Sequence, residues 1–209
     1  MINSKQTLTE EQFLLLESIK REYETAFKMV NSMPSLNVTI YGGSKLLPSD
    51  VYYKEIFNLA NKLGSIGWSV TTGGGPGAMA AGIDGNQKSG GHPTGVKINI
   101  INESITEKNN LEYTFSNFAP RKYVLRQADA YIFVPGGWGT FDELFEVITL
   151  QKVHKASQKK IILFKSEFWN GLKNWLRDQV LLNKLITEDE LESLIILDSI
   201  EEVVAEISK

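Results

Sequence analysis

Apolar positions recur at helical spacing between residues 7 and 30, where Leu15, Ile19, Tyr23 and Phe27 fall on one stripe. Thr9, followed three residues later by Gln12, has the form of a capping box and predicts where this first helix starts. The run "NVTIY" at 37–41 is short, β-rich and closed by two glycines. Residues 49–67 return to helical spacing, with Ser49 or Asp50 as cap and Gly64 or Gly67 as stop. "WSVTTGGGPGAMAAGIDG" then repeats the order of strand, glycine loop and helix, and "TGVKINI" reads as a further strand. Residues 103–117 are polar and read as a loop holding a short strand. Beyond them come a short helix in "APRKYVLRQADA", a strand in "AYIFVPGG" and a helix in "GTFDELFEVITLQKVHK". "KKIILF", "SEFWNGLKNWLRDQVL", "SLIILD" and "SIEEVVAEISK" complete the alternation as strand, helix, strand and helix.

Strands alternating with helices imply a mostly parallel sheet with helices on both faces. The continuous apolar runs "AYIFV" and "KKIILF" suit strands buried on both sides. The expected fold is therefore α/β, a Rossmann-like doubly wound sheet with an extra N-terminal helix over residues 1–35.

Composition narrows the function. The chain has 209 residues, 42% of them apolar, which suits one α/β domain with a sizeable core. Lys plus Arg is 22 against 25 for Asp plus Glu, a net charge of -3, so neither nucleic acid nor an anionic membrane is an expected partner. There is no cysteine, which removes disulfides, thiolate catalysis and cysteine-based zinc sites. "MINSKQTLTEEQ" has no apolar signal core, and no apolar run approaches the ~20 residues that span a bilayer. The expectation is a soluble, cytoplasmic protein. His92 and His154 are far apart in sequence, and no metal is expected.

In such folds ligands lie beyond the carboxyl ends of the strands. Three glycine-rich segments fall there: Gly42 to Lys45, Gly73 to Gly77, and Gly136 to Thr140. The last two open into helices, whose N-termini present unpaired N–H groups and a partial positive charge. One glycine loop after a strand is as readily a structural turn; three converging on one edge point to a phosphate-bearing ligand. None matches a P-loop or a clean dinucleotide fingerprint.

Arg121 begins the helix before "AYIFV", so its end of that helix lies at the edge where Pro135 to Thr140 emerge. In the following helix Phe141, Leu144, Phe145 and Ile148 form the expected core stripe. Thr140, Glu143 and Val147 share an adjacent stripe, which lifts Glu143 beside the phosphate loop. Asp142 suits the plain role of an acid in a first helical turn. A carboxylate over the ligand mouth, beside an arginine, suits stabilisation of a developing cation or activation of water. Trp138 either lines the pocket or covers its mouth. Met79 either touches a base or packs in the core, and Lys45 either approaches a phosphate or stays an exposed loop lysine. Trp68, Trp169 and Trp175 read as packing residues.

These motifs resemble the Lonely Guy (LOG) family, whose members have often been labelled "lysine decarboxylase". "PGGWGTFDE" fits its P-G-G-x-G-T-x-x-E signature, and "GGGPGAM" and "PRKYVLRQADAYIFVPGG" fit its companion motifs. The likeness runs from about residue 37 to the C-terminus. It implies hydrolysis of nucleoside 5′-monophosphates, cytokinin riboside monophosphates included, to free base and ribose 5-phosphate, with no cofactor. It also implies a homodimer or higher homo-oligomer. Carried over, Arg121 and Glu143 are catalytic, and Gly136, Gly137, Gly139 and Thr140 bind phosphate. Gly43, Ser44, Gly74, Gly75, Met79 and Lys122 fall at nucleotide-binding positions. The chain departs from the family where many relatives carry an acid and an asparagine, here Ala80 and Ile83, and where plant-type members read H-E-R-K, here A-P-R-K. A carrier or sensor that binds a nucleotide without turnover is the alternative. A pyridoxal-phosphate decarboxylase is a poor fit, because the "VHK" at 153–155 sits late on an ordinary helix and the chain is short for that enzyme.

Overall fold

A computed structural model describes residues 7–99 and 112–209. Within them seven strands form one sheet: β1 (Asn37–Tyr41), β2 (Ser69–Thr72), β3 (Thr94–Ile98), β4 (Glu112–Phe115), β5 (Ala130–Phe133), β6 (Lys160–Phe164) and β7 (Leu194–Leu197). Their order is β4-β3-β2-β1-β5-β6-β7, and every pairing is parallel. The α/β doubly wound architecture expected from the pattern is thus present. The chain winds outward from β1 in one direction and from β5 in the other, which leaves a crevice between β1 and β5 at their carboxyl ends.

Among the described residues eight α-helices cover the sheet: α1 (Glu10–Ser32), α2 (Val51–Ser65), α3 (Ala78–Lys88), α4 (Phe118–Leu125), α5 (Trp138–Lys152), α6 (Ser166–Trp175), α7 (Glu188–Glu192) and α8 (Ile200–Ile207). Strand alternation divides the core in two. Val38, Ile40, Ile132 and Ile162 face α2, α3 and α8. Tyr41, Tyr131, Phe133 and Leu163 face α1, α4, α5 and α6.

Three local details differ from the sequence reading. On α1 the buried residues are Ala26 and Met29, while Leu15 and Phe27 of the expected stripe stay about half exposed. On α5 the buried face is Thr140, Glu143, Leu144, Val147 and Gln151, and Phe145 is 40% exposed. Gln151 is held there because its side-chain oxygen accepts from the Lys159 N–H at 3.0 Å. The helix expected over 166–181 changes at Leu176 into a π-helical turn, Leu176–Leu181. The Thr9–Gln12 capping box is formed in both directions. Of the polar stretch 103–117, β4 and the residues after it are present; the rest lies outside the described residues. No helix among the described residues is long and apolar enough to cross a membrane.

Candidate active site

The crevice at the carboxyl ends of β1 and β5 opens into a cavity of about 880 Å³. All three glycine loops line it. They are laced together by their backbones. The Gly43 N–H donates to Pro135 O at 3.1 Å, and Gly43 O accepts from the Ala78 N–H at 2.9 Å. Gly77, with φ +70°, lies so close to Gly43 O that a Cβ would stand 2.4 Å from it. Only glycine suits both that backbone conformation and that contact.

The loop after β5 feeds α5, whose N-cap is Gly137 and whose first turn receives no side-chain cap. Its leading N–H groups are therefore available to a ligand, backed by the helix dipole. The glycines here divide into two kinds. A Cβ at Gly136 would meet Thr140 Oγ1 at 2.1 Å, so Gly136 is required by packing. At Gly137 and Gly139 a Cβ would meet nothing within 4 Å. No packing contact requires glycine at those two exposed positions, and without side chains they leave the backbone of the helix start open to the cavity.

Thr140 and Glu143 both reach the cavity, one turn apart on α5. Glu143 has a side chain only 8% exposed, and its Oε2 is buried without a hydrogen-bond partner. Burial raises its pKa to about 7; Lys122 and Arg121 oppose that shift, and Glu146 and Asp142 add to it. Arg121 comes from the first turn of α4. Its Nε donates to Val96 O at 2.8 Å, its Nη2 to Gly73 O at 3.4 Å, and its Nη1 stands 3.8 Å from Glu143 Oε1. The guanidinium lies against Gly73, where a Cβ would be 2.5 Å from Nη2.

Gly43, Ser44, Gly74, Gly75 and Met79 also line the cavity, as do Gly136, Gly137, Gly139 and Thr140. Lys45 stands exposed at the rim, and Trp138, 91% exposed, stands there too. Lys122 is placed differently: it does not line the cavity, and its Nζ is held by Asp142 at 2.7 Å and Glu146 at 2.9 Å. Val153 to Lys155 lie past the end of α5, not on the helix, and outside the cavity. His92 is an exposed loop residue. Among the described residues no group of three His, Asp or Glu side chains could hold a metal ion.

The family model described as "Possible lysine decarboxylase" matches residues 79–207, more than half of the chain. The chain belongs to this family, the LOG family. It is 30% identical over 147 residues to "Cytokinin riboside 5'-monophosphate phosphoribohydrolase LOG2" of Arabidopsis thaliana, covering 66% of this chain and 67% of that protein. A Mycobacterium marinum protein named "Cytokinin riboside 5'-monophosphate phosphoribohydrolase" is 27% identical over 158 residues, 72% of this chain and 84% of that one. Among solved structures, a molybdenum cofactor binding protein from Rippkaea orientalis superposes with a TM-score of 0.61 at 20% identity, over 85% of this chain and 98% of that one. The molybdenum cofactor carrier protein of Chlamydomonas reinhardtii gives 0.57 at 16%, over 84% and 97%. These likenesses are of fold.

Sequence reasoning missed some cavity residues of this LOG family member. Lys97, 5% exposed, lines the cavity from the end of β3, and Tyr41, Tyr52, Thr114, Phe118 and Phe168 contribute from five other segments. Lys97 carried one available signal, a lysine inside an otherwise strand-like run. The aromatic residues carried none, since core packing needs the same residue types.

Proposed function

We propose that this LOG family member hydrolyses the N-glycosidic bond of nucleoside 5′-monophosphates, releasing free base and ribose 5-phosphate. The observation that carries this reading is Glu143, a buried carboxylate with an unpartnered oxygen, beside the uncapped N-terminus of α5 and facing Arg121. The 5′-phosphate sits on the backbone N–H groups from Gly137 to Thr140, with the Thr140 hydroxyl beside them. That anchorage sets the ribose, and with it C1′, against Glu143.

As the C1′–N bond breaks, its electron pair leaves with the base, which takes up a proton, and positive charge spreads over C1′ and the ring oxygen. Water closes on C1′ and gives up a proton. A carboxylate with a pKa of about 7 is half ionised at neutral pH, the range in which a base accepts that proton and afterwards releases it. Its charge also stabilises the ring cation in a site largely shielded from water. Arg121, fixed by two backbone carbonyls, orients the departing base by hydrogen bonding. Its own proton stays in place, since guanidinium does not ionise in this range. The relatives named as cytokinin riboside 5'-monophosphate phosphoribohydrolases support the reaction class. AMP and cytokinin riboside monophosphates are the substrates to test. A homodimer, a single domain and a cytoplasmic location complete the proposal.

The alternative is a carrier or sensor that grips the same phosphate without turnover. One assay separates the two. The purified chain is incubated with AMP and the products are resolved by chromatography. Adenine and ribose 5-phosphate in equal amounts are expected. An AMP-dependent rise in melting temperature with no adenine released would overturn hydrolysis in favour of the carrier.

A further inference from the structure

We propose that Glu22, on the N-terminal helix, is a positioning residue that holds Arg121 in its working geometry; the inference rests on the reading of Arg121 as a residue acting on substrate. Arg121 is the fourth residue of α4, a helix of only eight residues. A helix so short depends on its cap and its packing, because its own hydrogen bonds scarcely offset nucleation. Its N-terminus lacks the usual local device. Asn117 occupies the N-cap position but makes no side-chain cap bond, and Pro120 contributes no N–H to the first turn.

The missing cap comes from elsewhere in the chain. Glu22 Oε1 accepts from the Ser116 N–H at 2.7 Å, and Oε2 accepts from the Asn117 N–H at 2.9 Å. Asn117 turns its own amide outward, donating to Glu22 Oε2 at 3.0 Å and to Ser18 Oγ at 3.3 Å. One carboxylate thus takes three N–H donors at the positive end of α4, about a turn before Arg121. The rest of α1 reinforces the grip. Tyr23 and Phe27 pack edge-on against Tyr123, at 6.0 Å and 5.2 Å between centroids, and Ala26 and Met29 are buried beneath. The same clamp sets Thr114 and Phe118, which flank the bonded N–H groups and line the cavity. The extra helix is thereby part of the site's framework, although no residue of it lines the cavity.

A cycle of wild type, Glu22→Ala, Arg121→Ala and the double variant tests this, with Glu22→Gln and Arg121→Lys beside it, each checked for folding by thermal melt. With AMP, Glu22→Ala is expected to lower kcat about 10- to 100-fold, the scale of a misplaced catalytic group. KM is expected to stay within about 3-fold, because the phosphate site is on α5. In the Arg121→Ala background the same change is expected to cost nothing further. Glu22→Gln, which keeps one acceptor oxygen of two, is expected to recover part of the loss. A second readout does not need activity. In protein labelled with 15N-arginine, the Arg121 Nε–H resonance, assigned by its disappearance in Arg121→Lys, is expected to lose its exchange protection in Glu22→Ala. A wild type that releases no adenine overturns the hydrolase reading, and the resonance then decides for Glu22 alone. An unmoved, still protected Nε–H, or an unchanged kcat in an active enzyme, overturns the positioning role.

Discussion

Arg121 Nη1 and Glu143 Oε1 face each other at 3.8 Å, within reach of charge attraction but beyond hydrogen-bond distance. The arginine is fixed by the carbonyls of Val96 and Gly73, and the carboxylate by its place on α5, so the gap between them is held from both sides. That spacing leaves Glu143 open to a third party.

Glu143→Gln keeps the shape and removes the charge. The expected outcome is a fall in kcat/KM of at least about 100-fold with AMP, an unchanged fold and retained AMP binding. Steady-state kinetics with a binding titration check this, and undiminished turnover would take the acid out of the mechanism.

The same group links stability to pH. Its pKa in the folded protein, about 7, lies above the 4.5 of the free side chain. Between those values the folded state holds a proton that the unfolded state has released, so stability is fullest below pH 4.5 and declines as pH rises through 7. Denaturant titrations at pH 5 and pH 8 are expected to show the wild type losing roughly 1–3 kcal/mol across that interval, and Glu143→Gln losing less. Equal slopes for the two proteins would contradict the assignment.

Lys122 acts on Glu143 through charge without touching the cavity. Burial pulls the Lys122 pKa down, but its hydrogen bonds to Asp142 and Glu146 outweigh that and leave it raised, so it is a fixed cation at neutral pH. It is the foremost of the groups that hold Glu143 down against burial. Lys122→Met is therefore expected to move the acidic limb of the kcat/KM profile to higher pH while leaving KM for AMP at its plateau nearly unchanged. A large rise in KM with an unmoved limb would place Lys122 against the ligand instead.

The glycines of the α5 loop should separate binding from folding. Gly139→Ala meets open space inside a helix, where alanine is favoured over glycine by about 1 kcal/mol, so the melting temperature is expected to hold or rise. AMP affinity is expected to fall at least about 10-fold as the new methyl group intrudes on the anion. Gly136→Ala collides with Thr140 and is expected to lower the melting temperature. Calorimetric melts and AMP titrations of the two variants provide the comparison.

Much of the architecture was legible in the chain because buried parallel strands are written as unbroken apolar runs, as in β5 and β6. The juxtaposition of Thr140 and Glu143 was legible too, since helical spacing alone fixes it. Phe145 misled because the buried face of α5 is partly polar: Glu143 lines the cavity and Gln151 accepts from the Lys159 N–H just before β6, so hydrophobicity alone did not mark the inner face. The partners of Lys122, the reach of Lys97 and the capping of α4 by Glu22 are contacts between segments distant in sequence. No local pattern encodes them.

Gly43 is tied through its N–H to the turn after β5 and through its carbonyl to the start of α3. The floor of the crevice is accordingly a braced plate that no single loop can leave on its own. Traffic into and out of it must pass the rim, where Trp138 stands almost wholly in solvent. A molecule that enters there meets a floor already assembled, with the exposed indole beside the entrance.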